Sequence, residues 1–430
     1  MYVKRIQVSN IRAVGNFDLK FGSHEYPGWH VILGENGSGK STLIRSIALA
    51  LAGPKEAVAL RQEWHLWLRE KKPSNKIQVT YEACAEDLFP QGRRITKQMD
   101  VVLEIKATEG ILSNAGAIVS VSSGVKNAER SIWGPAAGWF SASFGPFRRF
   151  SGGDQAFDRL FYSNPRLAPH LSAFGEDVAL TEGLRWLREL WVKQLESPDR
   201  HSKLLQFLID FLNDSGLLPN DTKISEIRSD QVILTDSAGA QVRVEQMSDG
   251  YRSVLSMIFE ILRQMTKSYG AEEVMKSLWE SDNKCVSLSG VVCIDEVDAH
   301  LHPTWQKEIG PWFTKCFPKV QFIVTTHSPI ICRNATSVWK LFSNDEGEQV
   351  SVRVEGVTLN RLIYGSILDA YGTEMFGRNI AVSDGSKELL SELAVLNRRS
   401  LRSNLSEADQ IRMNELRGML PTNSSSIQNT

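Results

Sequence analysis

Gly34-Glu35-Asn36-Gly37-Ser38-Gly39-Lys40-Ser41 decides the reading of this chain. The stretch fits G-x-x-x-x-G-K-[ST] and stands between an apolar run, Trp29 to Leu33, and a helical pattern, Ser41 to Ala52. Leu43, Ile44, Ile47, Ala48 and Leu51 share one face of that helix, and Gly53 with Pro54 stops it. A strand that breaks into glycines and restarts as a helix can turn several backbone N–H groups toward one point, where the helix N-terminus adds partial positive charge. The pattern is that of a phosphate cradle. Lys40 would reach the β- and γ-oxygens of a nucleoside triphosphate, and Ser41, followed by Thr42, would present a hydroxyl to Mg²⁺.

Three further segments extend the constellation. Val291-Val292-Cys293-Ile294-Asp295-Glu296 is an apolar strand ending in two carboxylates. Strand alternation predicts that they point to opposite sides, with Asp295 on the Mg²⁺ shell and Glu296 toward an attacking water as general base. Thr326-His327-Ser328-Pro329 follows another buried run and places His327 as a sensor of the terminal phosphate. Met247-Ser248-Asp249-Gly250-Tyr251 precedes an amphipathic helix, Arg252 to Ser268, and offers a second anion-seeking helix N-terminus. Two such ends far apart in sequence suggest two subunits meeting head to tail, each closing over the other's nucleotide.

The rest of the chain fits a soluble α/β protein. Its 430 residues, 42% apolar and 23% charged, are ample for a buried core and exclude wholesale disorder and fibre repeats. Lys and Arg number 49 against 50 Asp and Glu, so any nucleic-acid site must be a local patch. Candidate patches are Arg93-Arg94, Arg148-Arg149 and Arg398-Arg399 with Arg402. The pair at 148–149, flanked by Phe147, Phe150 and glycines, reads as an ordered loop facing nucleotide or DNA. Cys84, Cys285, Cys293, Cys316 and Cys332 are scattered, with no C-x-x-C, which fits a reducing cytosol and neither a disulfide framework nor a zinc site. No apolar run approaches the ~20 residues of a membrane span, and the N-terminus alternates like a strand; a cytoplasmic chain with no membrane partner is expected.

Strands are predicted at Tyr2 to Val8 and Gly15 to Phe21, with an antiparallel excursion at Ile77 to Ala83, Asp100 to Ile105 and Ala117 to Val121. Leu180, Leu184, Leu187, Trp191 and Leu195 form a helical stripe and Leu204 to Leu212 a second, both too short for a coiled-coil arm. β-type runs return at Gln231 to Thr235 and Gln241 to Glu245. Gly290 to Ile294 and Val320 to Thr325 are short, almost wholly apolar runs, as in strands buried on both faces. Beyond Val354 the pattern is helical, with a cap at Ser406 and Asp409 before a last helix to Leu420.

GENGSGKS, MSDGY, VVCIDEVDAHLHP and TTHSP, in that order, resemble the Walker A, signature, Walker B with D-loop, and H-loop of ABC-type ATPases. DEVDAHLHP, with Asp298 in the D-loop, and Arg12 in VSNIRAVGNF are similar to the RecF, SMC and OLD branch rather than to transporter cassettes. The signature departs from LSGGQ at Met247, Asp249 and Tyr251 and keeps Ser248 and Gly250. A short helical insertion, GPFRRFSGG at Gly145 to Gly153 and a helical C-terminal extension narrow the resemblance to the PtuA ATPases of Septu antiphage systems.

That resemblance implies an α/β head, a mixed sheet with flanking helices. Its parts would be an N-terminal ATPase lobe (1–155), a helical insertion (156–230), a C-terminal ATPase lobe (231–350) and an extension for partner or oligomer contacts (351–430). It implies ATP and Mg²⁺ as cofactors, with Arg12 and Gly34 to Thr42 around the nucleotide and Ser248, Asp249 and Gly250 reaching it from the opposite subunit. Ser41, Asp295 and a glutamine-loop residue would hold the metal; Gln155 is preferred over Gln98. It further implies ATP hydrolysis, a homodimer or larger even-numbered oligomer, and a separate HNH-type nuclease subunit, with DNA as an additional partner. No toprim-like acidic motif follows the ATPase segments, so nuclease chemistry is expected in the partner. The competing reading is a RecF-like repair ATPase that clamps or loads on DNA.

Overall fold

Side-chain alternation along the strand that feeds the glycine loop sorts the two faces of the sheet. In β3 (Gly28–Gly34), Trp29 packs on Phe313 and Phe322, while Ile32 joins Leu43, Ile44, Ile47 and Leu51 of α1 (Lys40–Ala52) in the main core. Helix α1 therefore covers one face, and α6 (Pro303–Cys316), which carries Phe313, covers the other. The close approach of α6 has a visible cause: a Cβ on Gly310 would lie 2.9 Å from the Trp29 ring nitrogen.

The computed structural model describes residues 1–60, 62–69, 74–84, 87, 97–108, 116–134, 137–148, 159–161, 163–175, 178, 180–196, 198–216, 218, 221–279, 285–365, 370, 384–401 and 405–419. Chain contacts divide it into two units, Met1–Tyr364 and Gly365–Thr430.

The first unit is built on an eleven-stranded mixed sheet in the order β6-β5-β4-β1-β2-β14-β13-β3-β12-β11-β7. Its members are β1 (Tyr2–Ile11), β2 (Val14–Lys20), β4 (Asn75–Glu82), β5 (Gln98–Thr108), β6 (Gly116–Ser123), β7 (Ser141–Phe144), β11 (Gly290–Ile294), β12 (Val320–Thr326), β13 (Ser337–Ser343), β14 (Gln349–Val354) and β3. Strands β13, β3, β12, β11 and β7 run parallel, and β11 and β12 are buried at every residue, as their almost wholly apolar sequences favour. The β6-β5-β4-β1-β2 half is antiparallel throughout.

Helices α2 (Thr181–Glu196) and α3 (Pro198–Asp214) pack on each other, and α2 packs on α4 (Asp249–Tyr269). Leu184, Leu187 and Leu190 of α2 are buried, whereas Leu195 is exposed, so the predicted stripe turns away from the core at its end. A three-stranded sheet, β10 (Gln241–Arg243), β9 (Val232–Thr235) and β8 (Lys223–Ile227), precedes α4. Helices α5 (Ala271–Trp279) and α7 (Gly356–Tyr364) belong to the same unit. Strands β7, β8, β13 and β14 have no counterpart in the sequence reading.

In the second unit α8 (Asp384–Ser400) and α9 (Glu407–Met419) close on Leu393, Leu396, Met413 and Leu416. Arg412 forks onto Glu392 at 2.9 and 3.0 Å, and Ser406 caps α9 through the amide of Asp409.

Candidate functional site

Parallel register brings the motifs to one edge of the sheet. Leu33 of β3 lies opposite Thr326 of β12, and Ile294 of β11 lies opposite both Val324 of β12 and Phe144 of β7. The glycine loop, His327, the Asp295-Glu296 pair and the turn at Gly145 therefore leave the carboxyl ends of neighbouring strands side by side. Open α/β sheets bind ligands at such an edge.

Two glycines of the loop are dictated by geometry. Gly37 and Gly39 hold φ 78° and 91°, and a Cβ on Gly39 would lie 3.0 Å from Phe17 and 3.1 Å from Val14. Glu35, Asn36 and Gly37 form the exposed tip, while Thr42 is buried and Ser41 half-buried in the first turn of α1. Lys40 is 5% exposed; its Nζ donates to the carbonyls of Gly34 (2.8 Å) and Glu35 (2.9 Å) and lies 3.5 Å from His327 Nδ1. Burial pulls the Lys40 pKa down, opposed by the charges of Glu296, Asp295, Asp298 and Glu35. Ser38 Oγ is buried without a hydrogen-bond partner. A buried ammonium, an orphaned hydroxyl and a helix N-terminus together fit a polyanionic ligand.

The two carboxylates separate for a reason other than strand alternation. β11 ends at Ile294, and both acids lie beyond it. Asp295 is 2% exposed, with Oδ1 accepting from Thr325 Oγ1 at 2.6 Å. Glu296 turns into the left-handed region at φ 46°, which costs a non-glycine residue roughly 1–2 kcal/mol, and its amide donates to the same Thr325 hydroxyl at 2.8 Å. Its Oε1 lies 3.9 Å from His327 Nε2. His327 thus stands between Lys40 and Glu296, one ring nitrogen toward each.

A second surface gathers the signature and the D-loop. Ser248 is exposed at the N-cap of α4, and its hydroxyl makes no cap bond to that helix. Asp249, also exposed, pairs with Arg252. Gly250 abuts the backbone of His300. Asp298 Oδ1 accepts from Thr326 Oγ1 at 2.6 Å, tying the D-loop to the residue before His327.

One expectation lands elsewhere. Arg148 faces neither nucleotide nor DNA: it is 4% exposed, held behind the carboxylate pair by backbone carbonyls that only the fold assembles. Arg12, at φ 52° in the turn between β1 and β2, lays its guanidinium 4.6 Å over Trp67, and burial lowers its pKa with a further push from Arg45 of α1. Gln155, Arg149, Phe150, Arg93, Arg94 and Arg402 lie outside the described residues. The other glutamine-loop candidate, Gln98, accepts from Lys4 on β1, within the antiparallel half of the sheet. Thr325 and Thr326, unflagged by the sequence reading, fix both acids and the D-loop; their one sequence signal is hydroxyls in an otherwise apolar strand.

A family model described as AAA domain, putative AbiEii toxin, Type IV TA system, matches residues 145–333, and a second, described as AAA domain, matches residues 5–119. Over 406 residues the chain is 25% identical to the Septu protein PtuA of Bacillus mycoides (strain KBAB4), a match covering 88% of this chain and 47% of that protein. It is 28% identical over 188 residues to the Retron Ec83 probable ATPase of Escherichia coli, covering 40% of this chain and 33% of that one. The chain thus spans about half the length of the first relative and a third of the second. Among solved structures, the SMC head bound to the C-winged helix domain of ScpA aligns with a TM-score of 0.49 at 16% identity, over 83% of this chain and 98% of that one. The motif order, the convergence of those motifs at one sheet edge and the match of AAA-domain models to residues 5–119 and 145–333 make this chain similar to ABC-type ATPase heads and to the Septu PtuA proteins.

Proposed function

We propose that the chain is the ATP-binding and ATP-hydrolysing subunit of an antiphage defence complex. It closes head to tail around ATP as a homodimer or larger even-numbered oligomer and regulates a separate HNH-type nuclease subunit. The observation that carries the reading is the line Lys40, His327, Glu296: a buried ammonium, an imidazole and a half-buried carboxylate within 3.5 and 3.9 Å of one another at the mouth of a glycine loop. In this reading Lys40 holds the terminal phosphates and Glu296 orients and deprotonates water. His327 contacts the phosphate being transferred. The Ser41 hydroxyl and the Asp295 carboxylate form an all-oxygen donor set suited to Mg²⁺, which when bound supplies charge neutralisation at the β- and γ-phosphates. The exposed Ser248 hydroxyl and Gly250 are the groups offered to a nucleotide on another subunit. Resemblance to the Septu PtuA ATPases supports the defence role and the nuclease partner.

The test is sedimentation of the Glu296→Gln chain with and without Mg-ATP, followed by co-expression with a candidate HNH nuclease. ATP-dependent association and a co-purifying nuclease are expected. No ATP binding in calorimetry would remove the ATPase reading. ATP-strengthened, salt-sensitive duplex binding without nuclease association would favour the RecF-like clamp. Among the described residues no helix is long and apolar enough to cross a membrane.

A further inference from the structure

We propose that Arg148 is a positioning residue that couples the general base of one nucleotide site to the signature helix that serves another. The proposal rests on the head-to-tail reading above. Arg148 emerges four residues past the end of β7, and its guanidinium is spent entirely on the protein interior. Nη1 donates to the carbonyls of Gly145 (2.9 Å) and Asp295 (2.7 Å), Nη2 donates to the carbonyl of Glu296 (3.0 Å), and Nε donates to Ser253 Oγ (2.8 Å).

Each contact has a distinct consequence. The carbonyls of Asp295 and Glu296 belong to the two acids assigned to metal and water, and Glu296 is held in left-handed backbone geometry that does not persist without support. Arg148 grips that residue at its carbonyl while Thr325 grips it at its amide. Ser253 sits on α4, five residues and about 7.5 Å along the axis from Ser248. α4 is a rigid rod whose first turn would touch the partner's nucleotide, and one planar fork therefore joins that rod to the backbone of Glu296. A shift of α4 on closure displaces Ser253, and the displacement reaches Glu296 through two hydrogen bonds on the same guanidinium. Ser253 is 1% exposed and Arg148 4%, so no solvent is at hand to replace either bond. Asp295, Asp298 and Glu296 supply the compensating negative charge that keeps a buried guanidinium ionised.

Ser253→Ala tests the link, because it cuts the tie to α4 and leaves Arg148 on its three carbonyls. The expected result is an unchanged ATP affinity and, in the Glu296→Gln background, unchanged ATP-driven association. In the otherwise parental chain, kcat falls on the order of tenfold at constant KM, and amide hydrogen exchange accelerates at Glu296 to Asp298. Arg148→Lys, which keeps the charge and loses the fork, should lower kcat further. Parental kcat and exchange in Ser253→Ala, or a loss of ATP binding that tracks a fall in thermal midpoint, would overturn the coupling. A parent chain that fails to hydrolyse ATP would instead sink the ATPase reading on which the coupling rests.

Discussion

Gly250 and His300 are in backbone contact: a Cβ placed on Gly250 would lie 2.7 Å from the His300 carbonyl oxygen. The segments proposed as signature and D-loop thus share, within one chain, a van der Waals boundary that admits no side chain. His300 itself holds φ 65°, so the carbonyl it presents is fixed by a left-handed turn. Gly250→Ala should push the two segments apart. The expected outcome is loss of ATP-driven association in sedimentation, with ATP affinity of the single chain within about twofold of the parent, since Lys40 and its loop are untouched. Unchanged association would mean that this boundary moves freely.

Lys40 spends its ammonium on the Gly34 and Glu35 carbonyls in a buried setting that depresses its pKa. Burying a charge is costly, and a phosphate partner repays more of that cost than two neutral carbonyls can. Lys40→Met should therefore leave the thermal midpoint without nucleotide near that of the parent while abolishing the rise that Mg-ATP produces. Calorimetric ATP affinity should fall roughly 10- to 100-fold, the loss of one to two charge-assisted hydrogen bonds. Equal ATP affinity in mutant and parent would remove Lys40 from the site.

Glu296 combines the carboxylate proposed as general base with a strained backbone. Glu296→Gln keeps the shape and removes the base, so turnover should fall about 10²- to 10⁴-fold with ATP binding retained. Glu296→Gly should abolish turnover equally, yet unfold at the same or slightly higher denaturant, because glycine adopts φ 46° without strain and loses only about 0.5–1 kcal/mol to chain entropy. A Glu296→Gly chain that unfolds well below the Gln variant would show that the turn carries no strain.

Two buried histidines make stability depend on pH. Burial pushes the pKa of His170 down to about 3, aided by Arg166, and that of His30 down to about 4. His170 is held by the Ser141 and Ser143 hydroxyls at 3.1 and 2.8 Å, so a neutral imidazole satisfies both ring nitrogens. Their folded values lie below the unfolded value near 6.5, so the stabilisation is fully present above about pH 6.5. It is lost as pH falls toward the folded values, because only the unfolded chain takes up protons in that window. At pH 5 each histidine should cost about 2 kcal/mol relative to pH 7. Urea midpoints at both pH values should converge in His170→Gln by roughly half of the two-histidine effect; an unaltered pH response would show that His170 protonates in the folded state.

The glycine loop between β3 and α1 and the parallel core were legible because their physics is local. A glycine spacing, one helical face of Leu43, Ile44 and Ile47, and two almost wholly apolar strands each state their own environment. β13 and β14 were missed because their exposure is mixed and β14, QVSVRV, alternates as a half-solvated strand whose pairing with β2 depends on a partner more than 300 residues away. Arg148 was misread for a deeper reason. An arginine beside aromatic and glycine residues looks like a surface loop, and what buries it here is a set of backbone carbonyls from positions 145, 295 and 296 that no side-chain pattern encodes.

Ser248 and Lys40 allow a test of where the composite site forms. If Ser248 and Gly250 complete the pocket of the opposite subunit, Ser248→Arg and Lys40→Ala chains are each nearly inactive alone but complementary when mixed. In a heterodimer one pocket carries both lesions, and the other joins an intact loop to an intact signature. Partial ATPase activity should return on mixing, up to about a quarter of the parental rate: random pairing makes half of the dimers mixed, each with one working site of two. Strict coupling between the two sites would suppress that recovery even with the right geometry, so a crosslinking measurement accompanies it. Cysteines placed at Ser38 and Ser248 should join two chains in the presence of Mg-ATP in a Glu296→Gln background, and not in its absence. Association that proceeds with ATP while these positions never crosslink would exclude the head-to-tail arrangement and direct attention to other surfaces of the head.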